Sequence, residues 1–267
     1  IASTKTLSGA IAVSAGSLNL TETGTLASTI ALSGGTLDAD ESMTITGTVT
    51  QAGNSTIDVP SEKTITFDTG TINTENYQLT LEGAGTVAFP TNASGIVLNN
   101  ADGIVKLEGT GTVQSVQVST AANAGKGILV NESVTVSNLN VSADTELNIA
   151  SGKTLYGSAE VAATNTLSLS GTGTFDSALN LLGTLEAGAN LTVSGLISVS
   201  GDSAVSIPDA NTALTYSGGS LNVGAHTLSI GGAGTFSNDG NSPLVLDLPE
   251  SILDLTGTGI ITGAVSL

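Results

Sequence analysis

Carboxylates are the side chains of this sequence best suited to acid/base or metal chemistry. The stretch "DADE" places Asp38, Asp40 and Glu41 within four residues. Clustered oxygens of that kind suit a calcium ion, and paired acids suit the cleft of a polysaccharide-cleaving enzyme. A second stretch, "SNDGNS" from Ser237 to Ser242, contains Asp239 and reads like part of a calcium loop that lacks its later Glu. Asp38, Asp40 and Asp239 are therefore the calcium candidates. His226 is the sole histidine and there is no cysteine, so neither a Ser-His-Asp triad nor a zinc site with several His or Cys ligands can be assembled. Glycine pairs recur at Gly83/Gly85, Gly109/Gly111, Gly171/Gly173, Gly232/Gly234 and Gly257/Gly259. A dinucleotide loop needs a third glycine and a helix after it; here more extended sequence follows, so these glycines read as turn corners.

An internal copy tests each candidate. Displaced by 148 to 149 residues, the sequence aligns with itself: "LTLEGAGTVAF" from Leu79 meets "LSIGGAGTFSN" from Leu228, and "VKLEGTGTV" from Val105 meets "LDLTGTGII" from Leu253. "DADE" then meets "EAGA" at Glu186, Asp58 meets Ser206, Glu82 meets Gly231, and "SNDGNS" meets "AFPTNAS" from Ala88. A site that needs two carboxylates at fixed separation does not survive in both copies, whereas Gly83/Gly85 and Gly109/Gly111 do. Residues 1–148 are one repeat unit, and 149–267 are a second, incomplete unit continuous with it. A unit broken off midway, behind an N-terminus without Met or signal peptide, is expected of a segment from a longer array.

Within the unit an apolar-x-apolar step recurs about every 18 to 23 residues, at Leu18, Leu37, Ile57, Leu79, Leu147, Leu167, Leu185, Val205 and Leu228 among others. Between the steps lie short alternating runs such as "MTITGTVT", punctuated by Gly, Asn and Asp. Period-two alternation rich in Thr, Val and Ile argues for strands, and no segment carries a helical period. The pattern predicts an all-β fold, a parallel β-solenoid (β-helix) with about 20 residues per coil. The usual handedness of parallel crossovers predicts right-handed winding. A narrow interior of stacked Leu, Ile, Val and Ala accounts for an aromatic content of 3%. The long spacing from Leu98 to Ile128 predicts an extruded loop at "STAANAGKG", Ser119 to Gly127. The rival architecture, tandem β-sandwiches, wants bulkier cores and a strand spacing nearer 8 to 12 residues.

Composition narrows the partners. Five lysines, no arginine and 23 acids give a formal charge of -18. Such a surface repels nucleic-acid phosphates and anionic membranes, and no apolar run is long enough for a membrane helix. Mean hydropathy of +0.31 argues against disorder. Lys5 and Lys153 hold equivalent places, which predicts a recurrent coil-to-coil ion pair, and Pro60 and Pro208 mark strand ends. His226, aligned with Tyr77, is expected on a surface turn. Thr44, Thr46, Thr48 and Thr50 resemble an ice-binding rank, but the second copy reads Thr192, Ser194, Leu196 and Ser198, so no rank is expected to persist.

With "LTLEGAGTV", "LSLSGTGTF", "LSIGGAGTF" and "LDLTGTGII" in view, the chain resembles the repeat regions of large bacterial surface proteins: autotransporter passengers and filamentous-haemagglutinin-like adhesins. The resemblance implies export to the extracellular space or cell surface of a prokaryote, a stalk, sheath or filament role, and adhesion. The residues themselves offer no catalytic set and no cofactor apart from calcium at Asp38, Asp40 or Asp239. Expected partners are other copies or adjacent repeats, joined end to end or laterally, and glycans; nucleic acid and membrane insertion are not expected. The alternatives are a polysaccharide-acting β-helix enzyme and an ice- or mineral-binding solenoid.

Overall fold

Alternation along the chain becomes an inside and an outside. In Ser55–Asp58 and Thr64–Phe67 the side chains of Ile57, Ile65 and Phe67 are buried, while Thr56, Asp58, Thr64 and Thr66 between them stay half-buried. The computed structural model of the protein describes residues 6–7, 9–90 and 94–267, and the expected Lys5 contact lies outside them. Each turn of chain lays down three strands. Ser55–Asp58 forms the first face, Thr64–Phe67 the second and Thr71–Asn73 the third. Gln78–Glu82 then returns to the first face and pairs in parallel with the strand one turn earlier, Leu79 beside Ser55 and Leu81 beside Ile57.

The chain divides into two compact units, Ile1–Asn138 and Leu139–Leu267. Each contributes six first-face strands among the described residues, from Ser17–Asn19 to Gly127–Val130 and from Thr145–Ile149 to Ile252–Leu255. Among the described residues the pairings are parallel and no helix is present, which makes the fold a parallel β-solenoid of about 12 turns. Antiparallel sandwiches are thereby excluded. A turn takes about 22 residues, a little more than the expected 20, because the corners vary in length. The offset runs from 18 residues, Thr166 beside Thr184, to 26, Gln78 beside Ile104. In the second unit Thr154–Val161 and Thr174–Leu181 each cover the second and third faces as one eight-residue strand.

Parallel register stacks like on like. Leu37, Ile57, Leu81, Leu107 and Val130 form one fully or almost fully buried column on the first face. Leu179, Ile197, Leu221 and Leu244 form another on the third face of the second unit. At ~4.8 Å between strands, each side chain meets its counterparts above and below. The interior is less purely aliphatic than the composition suggests. All four phenylalanines and Tyr216 are buried, and Phe67 stacks on Phe89 with ring centroids 5.6 Å apart. The Tyr216 hydroxyl is satisfied inside by accepting the Ile197 amide at 3.3 Å.

Corners are tied from turn to turn as firmly as the strands. Asx side chains cap the amide of the following turn: Asn54 accepts from Gln78, Asp144 from Thr166 and Asn190 from Ala213. The stretch expected to be extruded, Ser119 to Gly127, is instead a longer corner lashed to the turn before it. Ser119 donates its amide to Leu98, Thr120 its hydroxyl to Asn99, and Asn123 its amide to Ala101. Backbone amides and carbonyls want partners, and here the neighbouring corner supplies them.

Glycine pairs hold the sharpest corner. Gly83 has φ +82°, open to glycine and strained for other residues. Gly109 lies so close above Gly83 that an added Cβ would run into the Gly83 carbonyl, and Gly111 meets the Gly85 carbonyl in the same way. The second copy repeats the stacking with Gly257 on Gly232 and Gly259 on Gly234.

The pair Gly171/Gly173 divides the work. Gly171 turns the chain, with φ +80°. Gly173 sits in the same corner, before Thr174–Leu181, but it is buried and its φ lies outside the left-handed region. Its amide donates to the Ile149 carbonyl at 3.0 Å, which draws it inward against the turn before. Space, not backbone angle, demands glycine there. An added Cβ would run into the Ile149 side chain and the carbonyls of Ala150 and Lys153. Gly85 and Gly234 are buried the same way, beneath Val59 and Ile207.

Two substitutions test this account. Gly109→Ala should destabilise by about 2 kcal/mol, because backbone rather than a movable side chain blocks the methyl, whereas Gly240→Ala, which meets nothing within 4 Å, should stay within about 0.5 kcal/mol. Thr164 is β-branched with φ +68°, in the left-handed region that favours glycine. Thr164→Gly should therefore stabilise by about 1 kcal/mol. Urea unfolding of the three variants beside the parent decides both points.

Candidate functional site

Parallel register turns four separate acids into a column. Asp38 pairs with Asp58, and Asp58 with Glu82. Glu108 follows Leu107, the partner of Leu81, and so continues the column. Asn19 precedes Asp38 at one end, and Asn131 closes the other by donating to Glu108 at 3.2 Å. Each acid is the residue after a buried Leu37, Ile57, Leu81 or Leu107, so the anchor inside aims the carboxylate outside. Asp58, Glu82, Gly83, Glu108, Asn131 and Glu132 line an open hollow of about 500 Å³.

The column is electrostatically uneven. Partial desolvation, then Asp40 and Asp58, pushes the Asp38 carboxyl above the usual Asp range. Partial desolvation, then Asp58 and Glu108, pushes Glu82 up, with Lys106 pulling the other way. Glu108 is held below the usual Glu range, chiefly by the hydrogen bond from Lys106, whose ammonium lies 2.6 Å away. Thr80 stands beside Lys106, so Lys106 occupies the outward position next to the acids. Adjacent carboxylates shifted in opposite directions are the arrangement acid/base catalysis uses. The counterparts of Glu82 and Glu108 in the second copy are Gly231 and Thr256.

The calcium candidates are not brought into one cage. Asp38 lies in the column, and Asp40 is exposed at the corner beyond it. Asp239, in the other unit, accepts the Asn241 amide at 3.0 Å and offers its carbonyl to Ser242, which makes it a turn-forming residue. Among the described residues no group of three or more Asp, Glu, His or Cys side chains is arranged to hold a metal. His226 sits half-buried in a turn, and its carbonyl accepts from Ile252 as the carbonyl of its counterpart Tyr77 accepts from Ile104. Pro60 and Pro208 each stand just beyond a first-face strand. Rung-to-rung ion pairing occurs at Lys63–Glu41, 2.6 Å.

Threonines behave differently from the expectation. Measured by turn rather than by 148-residue copy, hydroxyls do stand in register. Thr25, Thr44 and Thr66 form one rank, and Thr64, Thr86, Thr112 and Thr135 another. In the second unit the rank is Thr154, Thr174, Thr192, Thr215, Ser237 and Thr262. Its neighbouring column is mixed, with Tyr156 beside Asp176 and Ser194 bonded to Asp176 at 2.9 Å. Glu108 and these ranks escaped the sequence reading because it compared copies, whereas the fold compares consecutive turns of unequal length.

The fold and surface define the class, a parallel β-solenoid with an acidic column and hydroxyl ranks. Compared with known proteins, the chain matches no family model, no curated protein and no solved structure.

The acid column sets a pH dependence. Asp38 and Glu82 bind protons more tightly folded than unfolded, so their contribution is fully present below the ordinary carboxylate range and is lost as pH rises through their raised values. Glu108 works in the opposite sense, and its contribution is lost as pH falls. Because Glu82 is exposed, screening keeps its effect small. Glu82→Gln should raise stability at pH 7 by about 0.5 kcal/mol and leave it unchanged at pH 3.5. Urea titrations at the two pH values read the difference directly.

Proposed function

We propose that this chain is a structural, non-enzymatic segment of an extracellular β-solenoid, serving as stalk, sheath or filament at a prokaryotic cell surface. One observation carries the reading: in each unit the buried columns and the backbone pairing pass from turn to turn in parallel register, so the fold's regularity is invested in stiffness. Pulling such a stack apart breaks several strand pairings together at each turn. The acidic, hydroxyl-rich exterior suits a hydrated surface layer and contact with glycans. A polysaccharide-cleaving role would draw on Glu82 and Glu108, which one copy has and the other lacks.

An antibody against the folded chain should label intact, unpermeabilised cells that make it, and purified protein should leave acidic and neutral polysaccharides uncleaved. Labelling only after permeabilisation, or cleavage abolished by Glu82→Gln, would overturn the reading.

The hydroxyl rank through Thr154, Thr174, Thr192 and Thr215 favours a second reading, binding to an ordered ice or mineral face. Thermal hysteresis that disappears in Thr174→Lys/Thr192→Lys would establish it; a freezing point equal to the melting point removes it.

A further inference from the structure

Two aspartates stand directly before a glycine, Asp102 before Gly103 and Asp239 before Gly240, and the fold treats them oppositely. With no Cβ on the second residue, its amide nitrogen is sterically open to the aspartate Cγ, so the pair can close on itself wherever the chain is free to bend. Asp102 is held away from that geometry. Its Oδ1 accepts from Asn123 Nδ2, one turn on, at 2.9 Å. The Gly103 amide already donates to the Asn100 carbonyl at 3.0 Å. Gly103 is also buried, with Thr74 Oγ1 2.6 Å and the Glu75 carbonyl oxygen 2.8 Å from where a Cβ would stand, so its peptide has no room to turn.

Asp239 and Gly240 lie exposed in the corner between Thr235–Asn238 and Leu244–Val245. Asp239 Oδ1 accepts the Asn241 amide at 3.0 Å, which folds the carboxyl back over the Gly240 peptide. A Cβ added to Gly240 would meet nothing within 4 Å, and the Gly240 amide donates to no group among the described residues. Asp209 supplies the comparison. Its Oδ1 accepts the Asn211 amide at 2.8 Å in the same kind of turn, but Ala210 follows it, and that Cβ shields the nitrogen.

We propose that Asp239–Gly240 is a self-modification site, at which the folded chain converts aspartate to isoaspartate. The Gly240 nitrogen bonds to Asp239 Cγ, and the carboxyl oxygen leaves with the amide proton as water, closing a succinimide. Water then adds to one of the two ring carbonyls. Opening at Cγ returns aspartate; opening at the main-chain carbonyl leaves the chain running through Cβ and Cγ, one carbon longer. The composition is unchanged and nothing is oxidised or reduced. The longer path crosses the hydrogen bond from the Ser242 amide to the Asp239 carbonyl, 3.1 Å, and so loosens Ser242, whose hydroxyl accepts the Gly219 amide from the turn before at 3.0 Å. The step needs only water and the corner's own atoms, so it stands or falls separately from the cell-surface role.

The folded 267-residue chain is held at neutral pH for some weeks and then digested. Isoaspartate, read by electron-transfer mass spectrometry and by enzymatic methylation of the isoaspartyl carboxyl, should accumulate at Asp239 at least tenfold faster than at Asp102 or Asp209. Gly240→Ala should slow it at least tenfold while keeping the parent's β-sheet circular dichroism. In denaturing urea Asp102 should match Asp239 while Asp209 stays slow, because the fold alone protects Asp102. In the converted protein the Gly219 amide should exchange with solvent faster than in fresh protein. No isoaspartate at Asp239, equal accumulation at Asp102 in the folded chain, a rate undiminished in Gly240→Ala, or Asp102 still slow in urea would overturn the proposal; unchanged Gly219 exchange would overturn the loosening it predicts.

Discussion

Everything in this protein follows from parallel backbone pairing held in register between consecutive turns. A strand on any face finds its amides and carbonyls matched by the strand one turn earlier, at ~4.8 Å. The pairing fixes which residue lies above which: Leu81 over Ile57, Leu107 over Leu81, Thr86 over Thr64. A one-residue slip would turn Ile57 and Leu81 outward and bring Asp58 and Glu82 into the interior, at a cost no local gain could offset. Corners bend to this requirement. They lengthen or shorten, as between the 18-residue and 26-residue turns, while the strands keep step.

The same constraint produces the surface chemistry. Outward residues of successive turns are forced into contact, so an acid repeated at one place becomes the column Asp38, Asp58, Glu82 and Glu108. Like charges directly opposite each other repel, and the structure moderates this locally with Lys106 on Glu108 and Asn131 at the end of the column. Hydroxyls carry no such penalty and can repeat freely, which is why ranks of threonine run through several turns on the second face. Interior and exterior are two readings of one stacking rule.

Particular residues show how much was legible in the sequence. The steps at Leu37, Ile57, Leu79 and Leu81 announced buried first-face strands, and Gly83, Gly171, Gly232 and Gly257 announced corners, because alternation and special backbone angles are local properties. The second glycine of a pair was only half legible. Gly173 is buried because the Ile149 turn presses on it from more than twenty residues earlier, and its own backbone angle asks for nothing special. The stretch from Ser119 to Gly127 reads as an extruded loop from its spacing, whereas in the structure its exposed residues are tied back to the turn before. Its anchors, Leu98, Asn99 and Ala101, lie some twenty residues earlier, and nothing in its own composition names them. Glu108 was missed for a related reason: its neighbour Glu82 is 26 residues away, a spacing that no fixed period predicts.

By itself, then, the sequence determined the class of fold and its direction of repeat: an all-β chain of short alternating strands, parallel because the copies follow one another in the same sense, with glycine where backbone must pass close to backbone. Only the tertiary structure decided the turn length, the registers and hence which polar residues meet. Periodicity is set by local sterics and side-chain alternation, which a sequence displays openly. Contacts between turns depend on the summed length of every corner between them, which is settled when the whole coil closes on the turn before it.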